Sequence, residues 1–544
     1  MIDESNIAKR EAAFRAAGFW ADQTIDPFLH DAIVRTPEKT AIVAHRADRD
    51  GLTRISYREL GSMVDHAAGS LRAIGIGRAD IVSAQLPNWW EFVVISLACM
   101  RLGAVVNPLM PIFREREIGY MVGFCEAKLL IVPSVFRGFD YVAMACNLRS
   151  SLPNLARVMV VGGDGPDSFE QCLLGGSAVV PFESDRSKAA QQPDDLAVLM
   201  FTSGTTGSPK GVMHSSNTLI ACLNGLAGRF GLRDDDVLLG ATPLGHMTGY
   251  AAIMMQSIRL GSTMILQDVW DSKRGVELMA HEGVTYLAAS TPFLLDICEA
   301  VAAGMPRPSK LRLFLCGGAP IPPVLIERAR KELALTVCSL WGMTESLSST
   351  LTEPTRAADK SASSDGRPLD GVDVRVVDQD GQPLAAGEAG RLLVRGAQMF
   401  RGYFKRADLP AFDNEGWFDT GDLARMDYEG YIRITGRTKD VIIRGGENIP
   451  VAEIENLLYK HPAVMAAAMV GYPDERLGER GCAFLALRPG QTLDLLALQA
   501  YMAQCKVAKQ YWPERVEIVD DLPRTASGKV QKFKLQELLG QAKV

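Results

Sequence analysis

"FTSGTTGSPKGV", residues Phe201 to Val212, sets five hydroxyl side chains and three glycines around one proline and one lysine. Glycines admit positive φ, so successive backbone N–H groups can turn toward one concave point, where Ser and Thr hydroxyls add donors. Such a nest suits an anion. Upstream, "LAVLMFT" (Leu196 to Thr202) reads as a short buried strand. Downstream, "SSNTLIACLNGLAGRFG" reads as a helix opened by Ser215 or Ser216 and closed near Gly231. A loop between strand and helix is where α/β folds hold phosphates. An ordinary Ser/Gly-rich surface turn is the competing explanation, and Lys210 after a buried strand weighs against it. The stretch is not a Walker loop, because Gly211 follows Lys210, and Val530 follows Gly528-Lys529.

The rest of the chain surrounds that loop with the same architecture. From about Ile81 to Thr344 short apolar strands alternate with helical stretches, the pattern of mostly parallel sheets covered by helices. "IVSAQLP" is followed by "NWWEFVVISLACMRLG", where Asn88 can cap a helix ending at Gly103, and "AVVNP" returns as a strand. "DVLLGATP", "STMILQD", "VTYLAAS", "LRLFLCGGAP" and "LTVCSLWGMTE" continue the rhythm, and several end in Gly, Thr, Ser or Pro where ligands sit in open sheets. After about Arg356, "GVDVRVVDQDGQPLAAGEAGRLLVRG" alternates between glycine turns, which predicts a small antiparallel β subdomain at about 360–438. Near "GRTKDVIIRGG" a third texture begins, with a helix opening at Pro450, and predicts a small α+β domain over 439–544. The fold class is therefore α/β, with a large unit over 1–438 and a smaller one after it.

With 544 residues the chain exceeds one hydrophobic core, and its 47% apolar and 22% charged content is that of a globular protein. A net charge of −6 supplies no electrostatic reason for nucleic acid or an acidic membrane as partner. No apolar run reaches bilayer-spanning length, and the first residues carry charges without a signal-peptide core, so a cytoplasmic location is expected. Ten scattered cysteines without a Cys-x-x-Cys pair read as reduced core thiols, with no structural metal site.

Four further stretches carry reactive groups. "LWGMTE" (Leu340 to Glu345) ends a buried strand on a carboxylate, and Glu345 there calls for a cation or a hydrogen-bond donor. Trp341 in the same stretch could be plain core packing. "GWFDTGD" offers Asp422 in a glycine turn, an ordinary turn aspartate or an acceptor for a ribose diol. "GRTKD" supplies Arg437, Lys439 and Asp440, and "LPRTASGKVQK" sets Lys529 in a glycine-containing loop, expected to be exposed and mobile.

The ordered set "TSGTTGSPKG", "GGAP", "WGMTE", "TGD", "GRTKD" and "PRTASGK" resembles the adenylate-forming enzymes: acyl-CoA synthetases, carrier-loading adenylation domains and firefly luciferase. "QLPNWWEF", "NPLMPIFRERE" and "FRGFDY" are similar to the branch with cyclohexanecarboxylate-CoA ligases and short- to medium-chain acyl-CoA synthetases. The resemblance implies that Thr202, Ser203, Thr205, Thr206 and Lys210 embrace the phosphates of ATP while Gly204 and Gly207 let the backbone approach. It implies Gly318, Ala319 and Pro320 along the adenine and acyl side, and Trp341 against the base in place of a tyrosine. Thr344 would touch the α-phosphate, Glu345 would bind Mg²⁺, and Asp422 with Arg437 would hold the ribose. His246 in "PLGHMTGY" falls at the family's acyl gate, and Lys529 would bridge carboxylate and phosphate in the first half-reaction.

The same resemblance implies a C-terminal domain that rotates about Lys439, withdrawing Lys529 and bringing Arg444, Gly445 and Gly446 to the pantetheine arm of coenzyme A. Small residues at Gly245, Gly249, Gly317 and Gly318 suggest a compact acid pocket closed by Trp341 and Met343. The implied partners are a carboxylic acid, ATP and coenzyme A, the acid being alicyclic such as cyclohexanecarboxylate, or a medium-chain fatty acid. A homodimer stays open, as do an aryl-CoA ligase and an enzyme loading a separate carrier protein. A noncatalytic nucleotide sensor would be expected to lack Lys529 or Glu345, and an ATPase or kinase differs in releasing phosphate or ADP.

Overall fold

The computed structural model describes residues 4–175, 178–183, 190–202, 209–318, 321–409, 411–438, 442–444, 447–449, 451–474, 476–505, 507–525 and 528–541. The alternation over Ile81 to Thr344 resolves into two sheets. In the nine-stranded sheet, six strands run parallel in the order Thr336–Met343, Leu313–Gly317, Tyr286–Ala289, Val237–Gly240, Thr263–Gln267 and Thr40–His45. Antiparallel strands extend both edges. The six-stranded sheet runs Lys210–Ser215, Leu196–Thr202, Val105–Pro108, Ile81–Ala84, Leu129–Pro133 and Arg157–Val161, parallel except at its first pair. One core gathers helices Tyr57–Ala73, Trp90–Leu102 and Ser216–Phe230 with strands from both sheets.

The opening stretch departs from its expected setting. Lys210–Ser215 is a strand, paired antiparallel to Leu196–Thr202 with Lys210 opposite Thr202. The phosphate-type loop therefore links two antiparallel strands, and the helix Ser216–Phe230 begins only after the second. "KGVMHS" is too short and too mixed to announce a strand by period, and its neighbour in the sheet supplies the pairing. The helix bounds hold: Ser215 caps the start through Thr218 N–H, and Gly231 ends it at φ 58°.

Asn88 is not a helix cap. Trp89 occupies that position without a side-chain cap bond. The Asn88 amide donates to the carbonyls of Gly240, Thr242 and Gln267 and accepts from Leu244 N–H, so it pins one sheet to the other. Satisfying several buried backbone groups outweighs one cap.

Strands Val372–Val377, Ala389–Gly396, Phe418–Met426 and Ile432–Arg437 form a four-stranded antiparallel sheet in the region expected for the β subdomain. Beyond it, a five-stranded sheet and helices Val451–Tyr459, Leu495–Gln504 and Lys532–Gln541 enclose two clusters built only from residues after 441. Pro450, the expected helix opener, lies outside the described residues. All ten cysteines are unpaired, and Cys146 is exposed, which corrects the expectation that all lie in cores. Among the described residues no helix is long and apolar enough to cross a membrane.

Candidate active site

Antiparallel register sets the first pair of the site. Asp422 lies directly opposite Arg437 on neighbouring strands, and Arg437 Nε donates to Asp422 Oδ1 at 2.8 Å. The other oxygen, Oδ2, accepts from Trp341 Nε1 at 2.8 Å. Asp422 is buried, so both oxygens are held by fixed donors, and each keeps a lone pair for another hydroxyl. Trp341 is buried too, at the end of its parallel strand, and its N–H aims at the carboxylate. One edge of the indole therefore reaches toward Asp422.

After Trp341 the chain turns and buries Glu345. Burial pushes the Glu345 carboxyl above its usual range, opposed by its own backbone N–H, by the Tyr403 hydroxyl and by the positive charges of Lys210 and Arg437. Tyr403 donates to Glu345 Oε1 at 2.9 Å. No Lys or Arg among the described residues forms an ion pair with Glu345, so an oxygen ligand without a resident cation faces the site. That chemistry fits a hard, oxygen-binding ion such as Mg²⁺.

Thr344, half-buried, is held by its backbone. His214, on the strand that begins at Lys210, donates from Nε2 to the Thr344 carbonyl at 2.7 Å. A carbonyl can only accept, so the Nε2 proton is fixed, and Nδ1, 3.1 Å from Thr218 Oγ1, is the acceptor of the neutral ring. Burial drives the His214 pKa down to about 4. His214 and Tyr403 were not singled out from the sequence. The only signal was proximity: His214 lies four residues after Lys210, and Tyr403 follows a glycine in "FRGYF".

Lys529 approaches from the C-terminal unit. A Cβ at Gly318, whose φ is +84°, would sit 3.6 Å from Lys529 Cε. Its loop folds on itself, with Thr525 N–H donating to the Lys529 carbonyl at 2.7 Å and Lys529 N–H to Thr525 Oγ1 at 3.0 Å. Gly528, at φ +86°, rests against Ser290: a Cβ there would come within 2.7 Å of Ser290 Oγ. Burial and then the Arg437 guanidinium hold the Lys529 ammonium below the usual lysine range, opposed by Asp422 and Glu345. Lys529 is thus half-buried, which corrects the expectation that it is exposed.

His246 lies within electrostatic reach of Lys529. Desolvation, then the lysine charge, lower its pKa to about 4. Its Nδ1 accepts from Thr248 N–H, which leaves Nε2 protonated in the neutral ring. The adjoining glycines are tightly packed on the side a Cβ would take. A Cβ at Gly245 would meet the Leu109–Met110 peptide at 3.0 Å, and one at Gly249 would meet the Pro243 carbonyl at 2.4 Å. Gly317 is covered by Leu340, whose Cδ2 lies 3.0 Å from a Cβ position there. At these glycines the side a Cβ would take is closely packed. Met343 packs against the main core.

The structure thus gathers Trp341, Asp422, Arg437, Glu345, Lys210, Thr344, His246, Gly318 and Lys529 around the ends of two sheets. Thr202 stands opposite Lys210 in the strand pair that leads into the loop. Arg444 is not in this group: it donates to Glu514 at 2.8 Å beside a cavity of about 390 Å³ that Gln499, Lys509 and Trp512 also line. Ser203, Gly204, Thr205, Thr206, Gly207, Ala319, Pro320, Lys439, Asp440, Gly445 and Gly446 lie outside the described residues.

The family model for AMP-binding enzymes matches residues 29–404, and that for the AMP-binding enzyme C-terminal domain matches residues 453–529. A medium-chain fatty-acid–CoA ligase of Escherichia coli strain K12 is 36% identical over 537 residues, covering 97% of this chain and 93% of its own. A salicylyl-CoA synthase / salicylate adenylyltransferase of a Streptomyces species is 34% identical over 540 residues, covering 97% and 96%. The structure of O-succinylbenzoate coenzyme A synthetase (MenE) from Bacillus subtilis, in complex with ATP and magnesium ion, superposes with a TM-score of 0.80 at 28% identity, covering 95% of this chain and 100% of that one.

Proposed function

The chain belongs to the AMP-binding, adenylate-forming enzymes, and on that premise we propose that it is an AMP-forming acid–coenzyme A ligase. The observation that carries the reading is Lys529 docked against Gly318 and within electrostatic reach of His246, Glu345 and Asp422. A further cation brought by a second structural unit into a cleft with two carboxylates suits a step in which anions must meet.

In the first half-reaction an oxygen of the substrate carboxylate attacks the α-phosphorus of ATP and the bond to pyrophosphate breaks. The attacking group is already ionised at neutral pH, so no residue need remove a proton. Asp422 and Arg437 orient the ribose, and Trp341 offers its indole face to the base. Lys210 and the loop that holds Ser203, Gly204, Thr205, Thr206 and Gly207 take the phosphates, with Thr202 at its base and Thr344 at the α-phosphate. Lys529 bridges the incoming carboxylate and the phosphate-side oxygens. Magnesium held by Glu345 supplies positive charge against the phosphate oxygens. In the second half-reaction the thiolate of coenzyme A attacks the acyl carbon and AMP departs.

Thiol access requires Lys529 to withdraw. We assign the moving unit to 439–544, the pivot to Lys439, and the pantetheine contacts to Arg444, Gly445 and Gly446. The docked Lys529 and the Arg444–Glu514 pair accord with the first state of that cycle.

For the acid we favour a medium-chain fatty acid or an alicyclic acid such as cyclohexanecarboxylate, supported by the likeness to the medium-chain ligase. The salicylate-activating relative keeps an aryl acid as the second reading, and a separate carrier protein is the alternative acceptor. Pyrophosphate exchange with acetate, hexanoate, octanoate, palmitate, cyclohexanecarboxylate, benzoate and salicylate separates them, followed by acyl transfer to free coenzyme A or to a carrier. Each buried methylene contributes about 0.8 kcal/mol, about fourfold in kcat/KM, so efficiency should climb from acetate to six to eight carbons. A maximum at acetate or palmitate refutes the medium-chain assignment, and a maximum at salicylate establishes the aryl reading.

A further inference from the structure

We infer that Tyr403 is a positioning residue that seats both charged arms of the phosphate site, holding Lys210 through its ring and Glu345 through its hydroxyl. The inference rests on the proposed roles of those two residues. Lys210 Nζ lies 4.8 Å from the Tyr403 ring centroid, on its face, and the phenol donates to Glu345 Oε1 at 2.9 Å. No other side chain among the described residues bonds Glu345. One half-buried side chain therefore spans the gap between a lysine on one sheet and a carboxylate at the end of another.

The backbone around Tyr403 is built for that span. Phe400 N–H donates to the Glu345 carbonyl at 2.8 Å, which fastens one end of the segment. Arg401 N–H donates to Met213 O, Met213 N–H to Gly402 O, and Phe404 N–H to Gly211 O, so residues 401–404 lie alongside the strand that carries Lys210. Tyr403 faces Val212 across this short antiparallel pairing, and Gly402 makes the approach at φ +120°. The Phe400 ring packs edge-on against Tyr403, with centroids 4.9 Å apart. Burial and the neighbouring Glu345 charge push the phenol pKa up, so it stays protonated and can only donate toward the carboxylate.

Two interactions of different kind predict two separable losses. Tyr403→Phe keeps the ring under Lys210 and deletes the bond to Glu345. Tyr403→Leu deletes both. The measurement is calorimetric ATP affinity without acid substrate, with Mg²⁺ present and with Mg²⁺ chelated. In Tyr403→Phe the affinity gained on adding Mg²⁺ should shrink about tenfold, while Mg²⁺-free affinity stays within about twofold of wild type. In Tyr403→Leu the Mg²⁺-free affinity should fall by a further factor of about three, the cation–π share.

A wild-type Mg²⁺ gain in Tyr403→Phe overturns the inference. So does an equal loss with and without Mg²⁺, which would make Tyr403 a packing residue only. Glu345→Gln and Lys210→Ala separate this from failure of the underlying roles. If Glu345→Gln retains the Mg²⁺ gain, the Glu345 assignment falls, and Tyr403's role toward it with it. If Lys210→Ala leaves Mg²⁺-free affinity unchanged, the lysine half falls. If both variants behave as assigned and Tyr403→Phe matches wild type, only the positioning role is lost.

Discussion

Trp341→Phe isolates the bond that ties the nucleotide side of the site together. The indole N–H of Trp341 donates to Asp422 Oδ2 at 2.8 Å, with the tryptophan 7% and the aspartate 4% exposed. A hydrogen bond to a buried charged group contributes about 1.5 to 3 kcal/mol. Phenylalanine also leaves about 40 Å³ empty, worth about 1 kcal/mol at 24 cal/mol per Å³. Trp341→Phe should therefore lower stability by about 3 kcal/mol, read from chemical denaturation followed by circular dichroism. Among the described residues Asp422 would then be held by Arg437, and ATP affinity should fall about fivefold through lost orientation. The decisive assay is a double-mutant cycle with Asp422→Ala, where a coupling of about 1.5 kcal/mol or more is expected. If the two substitutions add to within about 0.5 kcal/mol, the bond does not couple these residues and the reasoning fails.

Lys529→Ala should nearly abolish pyrophosphate exchange and spare thioester formation from preformed acyl-adenylate; ordinary exchange by this variant would remove Lys529 from the first step. Folding keeps His214 neutral down to about pH 4, against an ordinary value of 6.5. The unfolded chain binds the extra proton first, so stability is complete above about pH 6.5 and is lost as pH falls toward 4, by about 3 kcal/mol. His246 adds to the same window, less strongly because it is partly exposed. His214→Gln retains a donor for the Thr344 carbonyl without titrating, so its stability should fall less between pH 6.5 and 4, and an unchanged acid profile would place the titration elsewhere.

The sequence alone determined the kinds of element and the reactive residue types. Apolar runs bounded by glycine announced the parallel strands, and the paired serines Ser215 and Ser216 with Gly231 marked the ends of their helix, because strand period and helix capping are local physics. The ordered motifs named the site because each carries its own donors and turns within a few residues. Tertiary structure decided what depends on distant neighbours. It made "KGVMHS" a strand through pairing with Leu196–Thr202, and it turned Asn88 from a cap into a pin between sheets. It also filled the space beside Gly245, Gly249 and Gly317 with backbone and Leu340. The partners of Trp341, Glu345 and Lys210 lie far along the chain: 81 positions for Asp422 from Trp341, 58 for Tyr403 from Glu345 and 193 for Tyr403 from Lys210. A lone side chain in a sequence window carries no direction, and only the packing of the sheets and of residues 401–404 fixes which charge its polar atom meets.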